Sequence, residues 1–415
     1  MKRPSSFAAA ALAAGIALWG SLLWVPLPVG AQVYNPPVGN AGTVTSVTCG
    51  TGLSGGTITA SGTCAVAATA VAAGSYTNTN LTVGADGRLT AASNGTAASG
   101  TAAPQGRLTL TSATPVMSAD ALAQTTVYYD CYTGNGLSVG AVPVTLTIPS
   151  CEISMGLDAG VPHIASGSVY DIFGVSNAGT LAICAGPAWT STTARGTGAG
   201  TTQIDQTNGG LWTNTGSLAH CWGGASGTTD LGAIAAHAGT YIGSVYGTAN
   251  GQTQMAFRPA PAAGGNNNFL ALYNAYNRVP YVAVSRDSTA SWTYGTATWR
   301  AANAGGTGSG LLNRITYLDG LGQSVAQCRY DILAQNTGVN TTQNGCDFDS
   351  TSATPGGIRG AANTGNLILV QITAEDSLVA LGVHFEQAVE LVSSSGGAVY
   401  LGSTGTMALR LAVAD

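Results

Sequence analysis

Short runs in which hydrophobic and polar residues alternate recur along the whole chain and predict β-strands. They include Leu81-Thr82-Val83, the run from Val142 to Ile148, Tyr281 to Val284, and the alternation of Leu409, Leu411 and Val413. No helical period is sustained for more than three turns. The predicted fold is therefore all-β.

The N-terminal quarter differs from the rest because its predicted strands are short and carry few large side chains. Two hairpins are predicted there, one around the glycine turn before Thr57-Ile58-Thr59 and one around Asp86-Gly87. So few apolar groups cannot form a core in one copy. Residues 32–103 are therefore predicted as a low-complexity β shaft, with a flexible polar linker as the alternative.

Residues 104–415 carry the stronger strand signals and predict a β-rich domain, of the β-sandwich or jelly-roll type. About 310 residues are enough for one large domain or two smaller ones. The glycine- and asparagine-rich stretch 262–268 is the predicted internal seam.

Residues 1–31 are typical of a secretory signal peptide. Lys2 and Arg3 precede an apolar run, and Val29-Gly30-Ala31 provides small residues for cleavage. An uncleaved anchor is the alternative, but Pro26 and Pro28 interrupt a helix there. After cleavage no segment is predicted to span a membrane, and the expected location is extracellular.

Charge is scarce, and this changes which partners are expected. Charged residues make up 7% of the chain, against about 25% in an ordinary soluble domain. The net charge is −5, and no basic stripe is present to bind phosphates, so nucleic acid is not an expected partner. Because few charges keep copies apart, self-association is expected.

Eight cysteines follow the predicted signal, and in an exported chain they indicate disulfides. The simplest pairing joins neighbours along the chain, although eight cysteines allow 105 connectivities and unpaired buried cysteines are an alternative. The candidate pairs are Cys49 with Cys64, Cys131 with Cys151, Cys184 with Cys221, and Cys328 with Cys346. No Cys-x-x-Cys or repeated histidine spacing predicts a metal site or a cofactor.

The most distinctive stretch runs from Leu181 to Thr213. It contains Gly186-Pro187-Ala188-Trp189, then a Ser/Thr/Gly loop with the single Arg195, and then a second tryptophan, Trp212. A loop this polar is expected at the surface, held at both ends by large rings.

That stretch resembles a C-terminal module of bacteriophage and prophage tail-fibre-like proteins. Three further segments are similar to the same module: Gly106 to Leu110, Trp292 to Asn303, and Gly382 to Glu386. The hairpins of residues 32–103 resemble the slender shaft repeats of these fibres. The resemblance touches most of residues 40–415.

The resemblance implies a non-enzymatic structural protein with a β-rich tip that binds a cell-surface glycan or receptor. It also implies a homotrimer in which three chains wrap together. The secretory signal and the cysteines favour an exported relative. A virion component and a secreted polysaccharide-active enzyme are the alternatives, and the ligand itself is not specified by the sequence.

Aromatic residues between 273 and 299 provide the candidate ligand-binding side chains. Flat rings stack on sugars and anchor binding surfaces, and they stand here among small polar residues. The candidates are Tyr273, Tyr276, Trp292 and Tyr294. Core packing is the alternative, favoured for Trp292 and Trp299 and left open for Tyr273 and Tyr276.

No catalytic residues are predicted. Gly52 to Gly56 matches the G-x-S-x-G nucleophile pattern, but a strand follows it where a helix is required. His220 stands beside Cys221, yet neighbours in a strand point to opposite faces, which favours a structural cysteine. Asp347 and Asp349 are expected in a solvated turn. A calcium site is the less favoured alternative, because their spacing fits no EF-hand loop. A pair of glycosidase carboxylates would be spatial and is not visible in a sequence.

Overall fold

The computed structural model describes most of the chain, in two compact units, Met1–Ala97 and Ala98–Asp415. The described residues are 44–76, 79–94, 101–158, 163–197, 201–207, 209–305, 312–336, 340–352, 355, 357–363, 368–393, 397–402 and 407–414. The predicted signal peptide, residues 1–31, lies outside them. Among the described residues the secondary structure consists of strands and two short 3₁₀ turns, which confirms the all-β class.

The first unit is built from three two-stranded pairs. Its strands are β1 Val47–Thr48, β2 Leu53–Ser54, β3 Thr57–Ile58, β4 Ala65–Val66, β5 Asn80–Val83 and β6 Leu89–Ser93. Strand β1 pairs with β3, β2 with β4, and β5 with β6, all antiparallel. Both predicted hairpins are therefore present, and a disulfide joins Cys49 to Cys64 across the first.

Arg88 ties the second hairpin of this unit to the first. Its Nη1 donates to the carbonyl oxygens of Gly52 at 3.1 Å and Ala67 at 2.9 Å, and its Nε contacts Asp86 Oδ2 at 2.8 Å. One planar guanidinium thus holds three segments together.

The apolar side chains of the first unit stay exposed. No described residue between 44 and 94 is buried. Val44 is 75% exposed, Val66 70% and Val83 59%. The shortage of core-forming residues that the sequence indicates is therefore a property of the single chain.

The second unit contains the remaining strands. They are β7 Gly106–Thr109, β8 Ala121–Gln124, β9 Thr126–Cys131, β10 Gly136–Val139, β11 Val144–Thr147, β12 Glu152–Gly156, β13 Val169–Asn177, β14 Thr180–Ala188, β15 Ile204–Thr207, β16 Leu211–Asn214, β17 Trp222–Gly223, β18 Thr229–Asp230, β19 Thr240–Tyr246, β20 Thr253–Met255, β21 Asn267–Leu270, β22 Leu272–Asn274, β23 Pro280–Ser285, β24 Trp292–Tyr294, β25 Arg300–Ala301, β26 Arg314–Asp319, β27 Val325–Asn336, β28 Asn340–Phe348, β29 Gly357–Asn363, β30 Ile368–Leu378, β31 Gly382–Val392, β32 Ala398–Leu401 and β33 Ala408–Ala414. The 3₁₀ turns are Pro149–Cys151 and Ala302–Gly305.

These strands form three large sheets and two small ones. One sheet has the order β15-β16-β19-β13-β14-β17-β18, with β22 also on β19, and a second has the order β29-β28-β31-β26-β21-β20-β8, with β25 on β31. The third has the order β23-β33-β27-β32-β24, with β30 on β27; the small sheets are β12-β9-β7 and β10-β11. Among the named strands only β21 and β26 pair in parallel.

Strand β27 shows how the sequence produces this packing. Every second residue is buried, namely Ala326, Cys328, Tyr330, Ile332 and Ala334, because successive side chains of a strand point to opposite faces. These residues join one large core cluster to which all three large sheets contribute. The more specific sandwich or jelly-roll description stays a prediction.

The structure bears on two predictions of domain organisation, the start of the second domain and the seam inside it. The unit boundary falls between Ala97 and Ala98, a few residues before the predicted start of the tip at residue 104. The stretch 262–268 lies inside the second unit, and its last two residues begin β21.

All four predicted disulfide pairs are present and no cysteine is free. Their Cα atoms lie between 4.9 and 6.3 Å apart, within the usual range for disulfides. Four disulfides fit an oxidising, extracellular environment. In the part of the chain that the structure describes, no helix is long and apolar enough to span a bilayer.

Candidate recognition pocket

The stretch from Leu181 to Thr213 is anchored more deeply than the sequence indicates. Trp189 is only 5% exposed, and its backbone N–H donates to Val169 O at 2.8 Å. Arg195 is also buried, with its guanidinium carbon 4.4 Å from the centre of the Trp189 ring. The one charge of the loop therefore belongs to the interior, and Arg195 offers no surface contact.

Immediately before this anchor, the end of strand β14 helps to form a pocket of about 290 Å³. Its lining residues are Pro187, Ala219, His220 and Trp222. Pro187 belongs to β14, whereas Trp222 begins the two-residue strand β17. The pocket thus lies where the two-residue strand β17 pairs with β14.

A disulfide and a glycine hold β17 in place. Trp222 pairs with Ala185 and Gly223 pairs with Cys184, while Cys221 is bonded to Cys184. A Cβ atom on Gly223 would lie 2.5 Å from Ile183 O, so only glycine allows this close approach of the two strands. Without these constraints, two residues of strand would not fix the Trp222 ring.

Two histidines surround Trp222. The His163 ring stacks on it with centroids 3.9 Å apart and planes within 9°, and the His220 ring lies 5.7 Å away at 22°. His163 Nε2 lies 3.5 Å from Asp158 Oδ2. The indole is therefore held in a fixed orientation by ring stacking.

His220 presents the polar edge of the pocket. Its Nδ1 lies 2.6 Å from Asp230 Oδ2, and its side chain is 61% exposed. Since an ionised carboxylate only accepts, Nδ1 carries the proton of this bond, which orients Nε2 for a ligand. The hydrogen bond from His220, with the N–H of Gly232, lowers the pKa of Asp230 and keeps it ionised.

The arrangement is suited to binding. The apolar floor of Trp222, Pro187 and Ala219 with an imidazole at the edge follows the general pattern of small-molecule pockets, in which apolar lining is combined with a few polar groups. The ring face offers dispersion contacts to the C–H face of a sugar, and His220 offers one directed hydrogen bond.

The four predicted ligand-binding aromatics do not form one surface. Tyr273 is fully buried in β22, and half-buried Tyr276 accepts a hydrogen bond from Trp212 N at 2.8 Å. Burial raises the pKa of Tyr276 to about 12, against the effect of that N–H. Tyr276 therefore helps to anchor the loop at Trp212, whereas Tyr273 packs in a core cluster with Trp189 at the other end of the loop.

Trp292 and Tyr294 lie in β24 of a different sheet. Trp292 is 8% exposed and donates from Nε1 to Glu390 Oε2 at 2.8 Å. Tyr294 is half-buried under Arg300, whose guanidinium carbon is 3.7 Å from the ring centre. Core packing, favoured for Trp292 from the sequence, describes it well, whereas Trp299 is only partly buried.

Buried Glu390 is the polar centre of that second group. Arg300 contacts its Oε1 at 2.7 Å. Burial raises the pKa of Glu390 to about 7, although the charge of Arg300 and the hydrogen bonds from Trp292 and Arg300 favour the ionised form. Glu390 thus finds its hydrogen-bond partners within this group.

Trp222 and His163 were not predicted from the sequence as functional residues. The only sequence signal near this site is the run His220-Cys221-Trp222, which was considered as a Cys-His nucleophile pair and not as an aromatic binding site. The disulfide excludes that chemistry for Cys221. His163 and Asp158 come from a different segment, so their proximity to Trp222 is purely tertiary.

Two other candidate sites from the sequence, the G-x-S-x-G match and the Asp347 region, can also be compared with the structure. Ser54 of the G-x-S-x-G match donates to Ala65 O at 3.3 Å, and strand β3 follows where the nucleophile motif needs a helix. The solvated turn expected for Asp347 is wrong, because Asp347 is 4% exposed within β28. Among the described residues, no group of three or more His, Cys, Asp or Glu is placed to hold a metal ion.

Comparisons with known proteins add no assignment: no protein-family model matches this chain, and no curated protein matches it either.

Proposed function

We propose that this protein is an exported, tail-fibre-like structural protein that attaches to a surface by binding a glycan. The pocket at Trp222 is the observation that carries the proposal. Its ring is fixed by His163, by strand pairing and by a disulfide, and His220 provides a hydrogen-bonding edge. A rigid aromatic that costs little ordering entropy is the usual anchor of a recognition surface.

Self-association through the first unit is the second part of the proposal. Three copies would bury apolar side chains that one copy exposes, including Leu53, Leu81 and Leu89. Repetition of the pocket in a trimer would raise the avidity for a surface that displays many copies of one sugar. Weak individual sites would then suffice for attachment.

A glycan array probed with the mature protein tests the binding. Wild type is expected to bind a defined subset of glycans, and Trp222→Ala should weaken the binding at least about tenfold, which corresponds to about 1.4 kcal/mol. His220→Ala, at an exposed side chain, removes only the polar edge and should weaken it less. The matched control is Trp299→Ala, which changes a partly buried tryptophan elsewhere and should leave the profile unchanged.

Equal binding by Trp222→Ala and wild type, with both folded, would exclude this pocket. The same protein preparation also distinguishes an exported protein from a virion component. A mature N-terminus at Gln32 supports export, whereas an intact Met1 in assembled particles would support the virion component. Release of shortened sugars from a bound polysaccharide would favour the secreted enzyme instead.

A further inference from the structure

A second pocket, of about 440 Å³, lies beside the Cys131–Cys151 disulfide and contains two facing carboxylates. Its lining residues are Ser112, Ala113, Pro115, Asp130, Cys131, Ser150, Cys151 and Glu152. Asp130 on β9 is directly opposite Glu152 on β12, so their side chains leave the same face of the sheet. No basic side chain is among the lining residues.

The turn that follows β7 binds one oxygen of each carboxylate. Ser112 Oγ and Ala113 N donate to Glu152 Oε2 at 2.6 and 2.8 Å. Thr114 N donates to Asp130 Oδ2 at 2.9 Å. These three donors hold the two carboxyl groups in place and leave one oxygen of each for another partner.

The remaining oxygen of Asp130 has no such partner within the described residues. Asp130 is 2% exposed, and its Oδ1 is buried without a hydrogen bond. A buried carboxylate oxygen without a partner is costly, and a second carboxylate across the ladder adds repulsion. Burial first, and then the charge of Glu152, raise the pKa of Asp130 to about 6, against the Thr114 N–H.

The nearest basic residue along the ladder does not line the pocket. Arg107 on β7 is opposite Asp130, but its Nε donates to Pro115 O at 3.0 Å and its Nη2 to Tyr281 OH at 3.3 Å. Its Nη1 donates to Asn277 O. The guanidinium thus supports the wall of the pocket through the Pro115 carbonyl.

We propose that this pocket binds a calcium ion between Asp130 and Glu152. Calcium takes six to eight oxygen ligands at flexible positions, including carboxylates, carbonyls, hydroxyls and water. Asp130 Oδ1 and Glu152 supply charge, and Ser112 and Ser150 supply hydroxyl groups in the same lining. The ion would join the β7 turn, strands β9 and β12, and the disulfide turn at one point.

Calcium titration of the EDTA-treated mature protein, followed by isothermal calorimetry and thermal melting, tests the proposal. We expect about one ion per chain with a Kd of about 10⁻⁴ to 10⁻³ M, the range of extracellular modules, and a higher Tm in calcium. NaCl at equal ionic strength should not reproduce the increase. Asp130→Asn and Glu152→Gln should each lower the affinity at least about tenfold.

Asp376→Asn is the matched control, because Asp376 is an exposed carboxylate outside the pocket. It should bind calcium as wild type does. Asp130→Asn should remain folded in EDTA, since it removes a buried negative charge that lies opposite Glu152. If it does not fold, Glu152→Gln decides. Wild-type calcium affinity in a folded pocket variant would overturn the proposal. So would the absence of binding by wild type at about 10 mM calcium, which is about ten times the upper end of the expected Kd range.

Discussion

Arg195 and Asp171 form a buried bidentate ion pair. Arg195 Nε lies 2.7 Å from Asp171 Oδ2, and Nη2 lies 3.0 Å from Oδ1. Nη2 also donates to Gly320 O at 2.6 Å, and Ser244 Oγ donates to Asp171 Oδ1 at 2.7 Å. Burial alone would lower the pKa of Arg195, but the charge of Asp171 raises it, so the guanidinium stays charged.

Arg195→Ala is expected to lower the free energy of unfolding by about 3–5 kcal/mol, because it leaves Asp171 charged and buried. Arg195→Lys should restore little, since an ammonium cannot match both carboxylate oxygens. Guanidinium titration measures both. Arg329→Ala is the control: Arg329 contacts Asp331 but is 52% exposed, and its loss should cost less than about 0.5 kcal/mol. A cost that small for Arg195→Ala would contradict the prediction.

The His384–Asp349 pair should make stability depend on pH. Burial opposes the charge on His384, but the hydrogen bond to Asp349, 2.6 Å from Nδ1, and that carboxylate's charge raise its pKa above 6.5. The group therefore contributes stability that is fully present below pH 6.5 and is lost as the pH rises through the raised pKa.

Asp349→Asn should consequently destabilise the protein more at pH 5.5 than at pH 9, two values chosen on either side of that transition. Urea titrations at the two pH values give the difference. Asp376→Asn, at an exposed carboxylate, should show no such dependence. A larger effect of Asp349→Asn at the higher pH would reverse the predicted sign.

Glu390 should also make stability depend on pH, but over a different pH interval. Its pKa is raised from 4.5 to about 7, so the folded state holds a proton that the unfolded state releases. Stability should therefore fall as the pH rises from 4.5 to 7, by an amount on the order of 3 kcal/mol. Arg300→Ala should steepen this loss, because Arg300 favours the ionised form. Carboxyl ¹³C shifts of Glu390, followed by NMR, report the pKa directly; a value near 4.5 would refute it.

Removal of the Cys184–Cys221 disulfide should affect the pocket as well as the fold. The chain-entropy model gives about 4 kcal/mol for residues 37 apart in sequence. Since this bond fixes the strand that carries Trp222, the double alanine variant should also lose glycan affinity while folded. Removal of Cys328–Cys346, in other sheets, provides the comparison and should cost stability without loss of affinity.

Assembly is tested by light scattering. The mature chain should have three times the monomer mass, and deletion of residues 32–97 should reduce it. Val66→Asp and Val83→Asp place charges on apolar side chains that are exposed in one copy and should do the same without loss of the second unit's fold. A monomeric wild type at micromolar concentration would contradict the trimer.

The sequence was informative where local pattern decides the structure. Alternation predicted β23 and β33, and Asp86-Gly87 predicted the β5–β6 hairpin, because turn chemistry and side-chain periodicity act within a few residues. Neighbouring cysteines paired as expected because the intervening chains return as adjacent strands or tight turns.

The sites were less predictable because they depend on contacts between distant segments. His163 reaches Trp222, and Asp130 reaches Glu152, only through the tertiary pairing of strands. Arg195 illustrates the same limit: its glycine-rich surroundings indicate an exposed loop, yet its partner Asp171 lies in a buried strand. Composition around a residue did not reveal which side of the loop faced the core.

Strand β33 has a consequence for when the protein can fold. It lies between β23 and β27, so that Ala412 pairs with both Val282 and Gln327. That sheet cannot close until residue 414 has been synthesised, and such long-range pairing is slow because distant segments must first meet. Until then β23 has no strand partner in this sheet, although β27 can already pair with β30 and β32. The edge formed by β23 is therefore the last part of the sheet to be completed.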